Sequence, residues 1–167
     1  MSSSETESIP SISVDDCWIR NLTNADHVAR DGTIHRQALK NRTISPSVGK
    51  PWTHELSGRL RSLASDLVLN GEAAAERARE NFRASGAQVP SKIRFIGWAC
   101  ASVGKIRAAP VECEVIRDPT TDDPAHANFV IYNASSDDDL DAIRSWLIAN
   151  LAVVGKDSVQ DIDDKCS

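Results

Sequence analysis

The stretch from Asp118 to Ala127 carries the densest set of side chains suited to acid–base chemistry. It reads Asp-Pro-Thr-Thr-Asp-Asp-Pro-Ala-His-Ala, so His126 follows three carboxylates and two prolines and precedes an apolar segment. A histidine titrates near neutral pH and acts as a general acid or base when a carboxylate orients its ring. We therefore treat His126 as a candidate catalytic residue and Asp123 as a candidate carboxylate partner.

His126 has two other interpretations. A histidine at the entrance to a strand often hydrogen-bonds to the backbone and holds a loop, and the sequence favours this structural role over catalysis. A metal site would instead need two further ligands, and no metal is predicted. The side chains that could supply such ligands are Asp122, Asp123, His27, His35 and His54.

Arg20 is a second candidate catalytic residue, as a clamp for an anion. It follows Trp18 and Ile19 on a predicted strand whose flanking residues have a buried character. A buried guanidinium requires a partner, which can be the phosphate or carboxylate of a ligand. The sequence favours the alternative, an ion pair with Asp118 or Glu114 inside the domain.

The net charge of −5 is unevenly distributed along the 167 residues. Residues 18–62 carry eight basic against three acidic side chains, a net of +5, between two acidic ends. Such a segment could bind nucleic acid or another anion. It lacks the interleaved aromatic residues of a single-strand binder, so a solvated face is the favoured interpretation. The candidate binding residues of this segment are Arg30, Arg36 and Arg42.

The cysteines and the apolar segments bear on the compartment. No segment has the apolar length of a membrane span, and residues 1–7 lack the basic start and apolar run of a signal peptide. We therefore expect a cytoplasmic protein with reduced thiols, no cofactor and no membrane partner. The cysteines show no zinc-ribbon or thioredoxin spacing; they are Cys17, Cys100, Cys113 and Cys166.

Hydrophobic patterning predicts a single α+β domain over residues 14–153, between flexible tails at 1–13 and 154–167. Its sheet is expected to be small and mostly antiparallel, packed by three or four helices. The predicted strands lie around Trp18, Ser47, Val115 and Val130, and the predicted helices cover residues 53–69, 72–84, 96–108 and 136–151.

Several short motifs follow one another along residues 18–48 and 112–132. They are Trp18-Ile19-Arg20, Asp31-Gly32-Thr33-Ile34 with Ala38-Leu39, Ile44-Ser45-Pro46-Ser47-Val48, and Asp118-Pro119-Thr120 leading to His126-Ala127. In this order they resemble a family of small uncharacterised bacterial proteins, whose members usually have an aromatic residue where this chain has Leu39. The resemblance implies a bacterial, cytoplasmic origin, and no known activity accompanies it.

These patterns support hypotheses of different classes. The favoured one is an accessory protein that acts through a protein partner, because no complete catalytic constellation is visible in the sequence. The first alternative is a small hydrolase or group transferase in which His126 is the acid/base and Arg20 holds an anionic substrate. This alternative requires both side chains to face one pocket. The second alternative is nucleic-acid binding through residues 18–62.

Overall fold

The computed structural model describes residues 12–39 and 44–166. Within them, seven strands form one antiparallel sheet against which four α-helices pack, which confirms the predicted α+β domain. The elements are β1 (Cys17–Asn24), β2 (Ser45–Pro46), β3 (His54–Leu60), α1 (Leu67–Ala84), β4 (Ile93–Ser102), α2 (Val103–Arg107), β5 (Cys113–Arg117), β6 (His126–Ile131), α3 (Asp137–Asn150), β7 (Ala152–Gly155) and α4 (Ile162–Cys166).

The strand order is β5-β6-β3-β1-β4-β7, with β2 also paired to β3. β1 pairs with β4 along most of its length, but with β3 only through Trp18 with Leu60 and Ile19 with Arg59. The far end of β3 pairs with β2 instead, through His54 and Glu55. Among residues 12–39 and 44–166, none pairs in a ladder with the edge of β3 between these two pairings, around Ser57, on the β1 side.

The two faces of the sheet are covered differently. On one face, α2 and α3 pack over a large apolar cluster that includes Trp18, Phe129 and Ile143. On the other, α1 and α4 pack over a smaller cluster that includes Ile19 and Ile162. Within the sheet, this second cluster is confined to β1, β4 and β7. The neighbouring part of β3 and β6 on the same face carries polar side chains, which places them beside α1.

The helix expected over 53–69 is wrong except for its last three residues. Residues 54–60 form β3, and the helix begins only at Leu67. Leu56 and Leu60 are four residues apart, a spacing that places two side chains on one face of a strand as well as of a helix. Gly58 lies between them on the buried face of β3, while Leu63, which the helical stripe would bury, is 45% exposed.

The helix expected over 96–108 is also largely wrong. β4 continues to Ser102, whose hydroxyl then caps the short helix α2 by accepting from Lys105 N. Gly97 adopts a φ of 144° within the strand, and a Cβ there would lie 2.1 Å from Val154 O of β7. Pairing with β7 therefore decides the conformation of this segment, whereas the predicted helices at 72–84 and 136–151 correspond to α1 and α3.

The C-terminal segment is folded, although the sequence predicted a flexible tail from residue 154. Residues 156–161 form 3₁₀ turns that lead into α4, where Ile162 and Cys166 are buried. A disulfide joins Cys166 to Cys17, with 6.0 Å between their Cα atoms, so the expectation of reduced thiols is wrong for this pair. The expected N-terminal tail lies mostly outside the described residues, apart from residues 12 and 13.

Cys100 and Cys113 are free and buried, as expected for reduced thiols. Burial raises the pKa of Cys100 to about 11 and that of Cys113 to about 12, so both thiols are protonated at neutral pH. None of the helices in the described ranges is both long and apolar enough to cross a membrane.

Trp18 packs so closely on β3 that residue 58 has to be glycine. A Cβ built on Gly58 would lie 2.3 Å from Cε2 of the Trp18 indole, whereas a Cβ on Gly155 meets nothing within 4 Å. We expect Gly58→Ala to lower the free energy of unfolding by about 1–3 kcal/mol through overpacking. Gly155→Ala is the matched control and should change it little. Denaturant unfolding of the two variants checks this, and equal stabilities would contradict the packing described.

Candidate functional site

Two polar side chains of neighbouring strands meet on the face beside α1. In the β3–β6 register, Ser57 pairs with Asn128 and Arg59 pairs with His126, so Ser57 and His126 are diagonal neighbours on one face. Ser57 Oγ lies 2.7 Å from His126 Nε2. The sheet register thereby places a hydroxyl in direct contact with an imidazole.

The hydrogen bond at the other ring nitrogen of His126 determines the tautomer of the neutral ring. His126 Nδ1 lies 2.9 Å from the main-chain carbonyl oxygen of Asp118, which can only accept a hydrogen bond. Nδ1 of the neutral ring therefore carries the proton, and Nε2 accepts the hydrogen bond that the Ser57 hydroxyl donates. The imidazole is thus held in the tautomer in which it can take a proton from Ser57.

The carboxylate nearest to His126 is that of Asp118. Its Oδ2 lies 3.4 Å from His126 Nδ1, and Asn128 Nδ2 donates to the same oxygen at 3.3 Å. The backbone closes this arrangement, because Asp118 N donates to His126 O at 2.9 Å. A carboxylate in this position stabilises the imidazolium that would form on proton transfer. The three side chains are arranged in the order hydroxyl, imidazole and carboxylate.

Arg20 reaches this site through the unpaired edge of β3. Its Nη1 donates to Ser57 O at 2.5 Å, in the gap between the β1–β3 and β2–β3 pairings. No ion pair found among the described residues includes Arg20, so neither Asp118 nor Glu114 is its partner; Glu114 pairs with Arg107. Burial lowers the pKa of Arg20 to about 10, which leaves the guanidinium charged at neutral pH.

Asp123 lies close to the site but holds a different partner. Its carboxylate accepts two hydrogen bonds from Arg59, at 2.8 and 3.0 Å, and one from the backbone N of Ala125. The side chains of Arg59 and Asp123 are 12% and 19% exposed. Asp123 therefore neutralises Arg59 and shapes the loop that leads to His126, while Asp118 provides the carboxylate beside the imidazole.

Arg20, Asp123 and His126 line a single pocket of about 290 Å³ between β1, β3 and α1. Three arginines and one carboxylate line it, which leaves two positive charges in excess when His126 is neutral. One of them belongs to Arg77, an exposed residue of α1. Such a pocket suits a small anionic molecule. Its other lining residues are Asn21, Thr23, Ser57, Gly58, Arg59, Asn70 and Ala74.

The candidate binding residues of the basic segment lie elsewhere. Arg30 and Arg36 are exposed and do not line the pocket, and Arg36 lies 3.7 Å from Asp141 of α3. Arg42 lies outside the described residues. The structure therefore does not bring Arg30 and Arg36 to the site at His126.

The histidines considered as metal ligands also lie apart from His126. His27, His35 and His54 are not among the residues that line its pocket. Burial, and then the charge of Arg20, lower the pKa of His27, so this ring is neutral at pH 7. Within the described ranges, the one group of three potential metal ligands consists of cysteines.

Ser57 is the member of the site that the sequence did not reveal. It lies in a segment predicted as helix and lacks the Gly-x-Ser-x-Gly motif of a nucleophile elbow. The available signal was the alternation of Leu56, Gly58 and Leu60 with polar residues, which is typical of a half-buried strand.

Comparisons with protein-family models, curated proteins and solved structures returned no match to this chain.

The pairing of Asp123 with Arg59 predicts a structural effect of mutation. Asp123→Asn should destabilise the fold by about 2–4 kcal/mol, because it leaves a mostly buried guanidinium without its counter-charge. Asp122→Asn, at the neighbouring exposed position, is the control and should cost little. Chemical denaturation measures both, and an Asp123→Asn variant as stable as Asp122→Asn would refute the role described.

Proposed function

We propose that this protein is a small hydrolase or group transferase that acts on an anionic substrate, with Ser57 as nucleophile and His126 as general base. The observation that supports this proposal is the 2.7 Å contact between Ser57 Oγ and His126 Nε2, in a ring whose Nδ1 is held by Asp118. Arg20 and Arg77 hold the anionic group of the substrate in the adjoining pocket.

The reaction follows from these positions. Ser57 Oγ attacks the carbonyl carbon of an ester, and its proton passes to His126 Nε2. The imidazolium, stabilised by Asp118, then gives this proton to the departing alcohol, which leaves an acyl group on Ser57. Water attacks the acyl group while His126 accepts its proton, and the imidazolium then gives this proton to Ser57 Oγ as the acyl–oxygen bond breaks and the acid leaves. An alcohol in place of water gives group transfer instead.

A serine-directed probe tests the nucleophile. We expect a fluorophosphonate to label the wild-type protein at Ser57, and Ser57→Ala to abolish the labelling. His126→Ala should lower the labelling rate about 10²-fold, the usual contribution of a general base. Ser65→Ala, which removes an exposed serine outside the pocket, should label like wild type. Mass spectrometry of the labelled peptide provides the measurement, and labelling that survives Ser57→Ala would contradict the proposal.

A pair of substrates tests the role of Arg20. Wild type should hydrolyse the 4-nitrophenyl hemiester of a dicarboxylic acid faster than a neutral 4-nitrophenyl ester of similar length. We expect Arg20→Gln to lower the ratio of the two kcat/KM values at least tenfold, mainly through KM. The ratio separates lost recognition from general damage, since damage lowers both rates alike. An unchanged ratio would exclude Arg20 as the anion clamp.

The accessory-protein hypothesis is retained as a second candidate, supported by an apolar surface at the start of α1. Leu63, Val68 and Leu69 are 45%, 40% and 69% exposed along seven consecutive residues. An apolar surface of this kind suits a protein partner.

The cytoplasmic location expected from the sequence likewise remains a proposal, since a persistent Cys17–Cys166 disulfide is more typical of an oxidising compartment.

Matched variants separate the two functions. If the protein acts through a partner, tagged wild type and Ser57→Ala should recover the same protein from host lysate in stoichiometric amount. Leu69→Glu, which places a charge on the apolar surface, should lose at least nine-tenths of that recovery. Quantitative mass spectrometry measures it. A recovery that Leu69→Glu leaves unchanged would show that this surface does not bind the partner.

A further inference from the structure

Three of the four cysteines meet in one place. The sulfur atoms of Cys17, Cys100 and Cys166 all lie within 4.8 Å of one another. In the β1–β4 register, Cys17 pairs with Ser102 and Cys100 pairs with Ile19, so the two cysteines are diagonal neighbours on one face. The last helix, α4, supplies the third sulfur. The disulfide of Cys17 with Cys166 thus has a free thiol beside it.

We propose that the reduced chain binds one Cu(I) ion at the thiolates of Cys17, Cys100 and Cys166, and that the disulfide is the oxidised, metal-free state of this site. Thiolates select soft ions such as Cu(I) and Zn(II). The three cysteines are buried, and the cluster contains no fourth ligand from the described residues. Structural zinc requires four ligands, so a three-sulfur site favours Cu(I).

The spacing of the sulfurs suits such an ion. Three sulfurs at about 2.3 Å from a central metal, the distance of a metal–thiolate bond, lie about 4 Å from one another. All three sulfurs already lie within 4.8 Å of one another, and reduction of the disulfide frees those of Cys17 and Cys166 to separate towards this spacing. Cys17 and Cys100 lie on the paired strands β1 and β4, which hold these two residues side by side.

The surroundings of the cluster provide access and a favourable charge. Cys17 and Cys166 lie at a surface pocket of about 600 Å³, through which a reductant and an ion can approach. Its lining carries the carboxylates of Asp15, Asp16 and Asp163 against the single guanidinium of Arg61. The excess of negative charge attracts a cation.

The two states are related by a balanced redox step. A dithiol reductant transfers two electrons and two protons to the Cys17–Cys166 disulfide, which yields two thiols and leaves the reductant as its own disulfide. The thiols of Cys17, Cys100 and Cys166 then lose their protons as Cu(I) binds. A disulfide oxidant then accepts two electrons from the thiolates of Cys17 and Cys166 and leaves as two thiols after taking up two protons from water, and the re-formed Cys17–Cys166 disulfide releases the ion because two of its three ligands are lost.

An anaerobic titration tests the proposal. The full-length protein is reduced with a dithiol, desalted, and titrated against the Cu(I)–bicinchoninate complex. We expect one equivalent of Cu(I) to be withdrawn, together with a thiolate-to-copper charge-transfer absorbance. Oxidised wild type should withdraw none. Cys100→Ala should weaken the binding at least tenfold, whereas Cys113→Ala, which removes a buried thiol from the other apolar cluster, should bind like wild type.

Each alternative outcome overturns the proposal. Failure of the reduced chain to withdraw Cu(I) does so directly, as does equal affinity in Cys100→Ala. If reduction unfolds the chain and Cu(I) binds to any available thiols, Cys113→Ala will weaken binding as much as Cys100→Ala. Circular dichroism of the oxidised variants, which retain the Cys17–Cys166 disulfide, verifies that each substitution is compatible with the fold.

Discussion

The indole of Trp18 ties together the three strands that carry the candidate site. Its ring, fully buried, lies against Gly58 of β3, and its Nε1 donates to Ala127 O of β6 at 3.1 Å. One side chain of β1 thereby contacts both the adjacent strand β3 and the next strand, β6. Gly58 follows Ser57 in sequence, and Ala127 follows His126. Packing of Gly58 and Ala127 on the buried face therefore sets the distance between Ser57 and His126 on the opposite face.

The electrostatics of the pocket depend on how its arginines are partnered. Arg59 is neutralised by the two hydrogen bonds that it makes to Asp123, and it contributes mainly to the structure of the 118–126 loop. Arg20 donates to the main-chain oxygen of Ser57, which satisfies hydrogen bonding but does not compensate its charge. Because β1 and β3 are unpaired at this point, the guanidinium lies beside Ser57. The break in the β1–β3 ladder thus allows the positively charged side chain of Arg20 to reach the site.

β1 also connects the pocket to the sulfur cluster, since Cys17 and Arg20 lie three residues apart on the same strand. The disulfide joins this strand to the last helix across 149 residues of chain. In the chain-entropy model, a disulfide that closes a loop of this length stabilises the fold by about 5 kcal/mol, because it restricts the unfolded chain. Cys17 and Trp18 are consecutive on β1, so the disulfide anchors the strand that carries Trp18.

The sequence by itself determined the α+β class, the strands around residues 115 and 130, and the helices at 72–84 and 136–151. It also singled out His126 and Arg20 as candidates, because a histidine after acidic residues and an arginine after two apolar ones are unusual in local composition. The roles of Asp118, Asp123 and Ser57 were decided by the tertiary structure, since each depends on which strand lies opposite. The tertiary structure likewise decided that Cys17, Cys100 and Cys166 lie close together. The sequence specifies which residue types are present. Their partners depend on strand register and on packing between segments that are far apart in sequence.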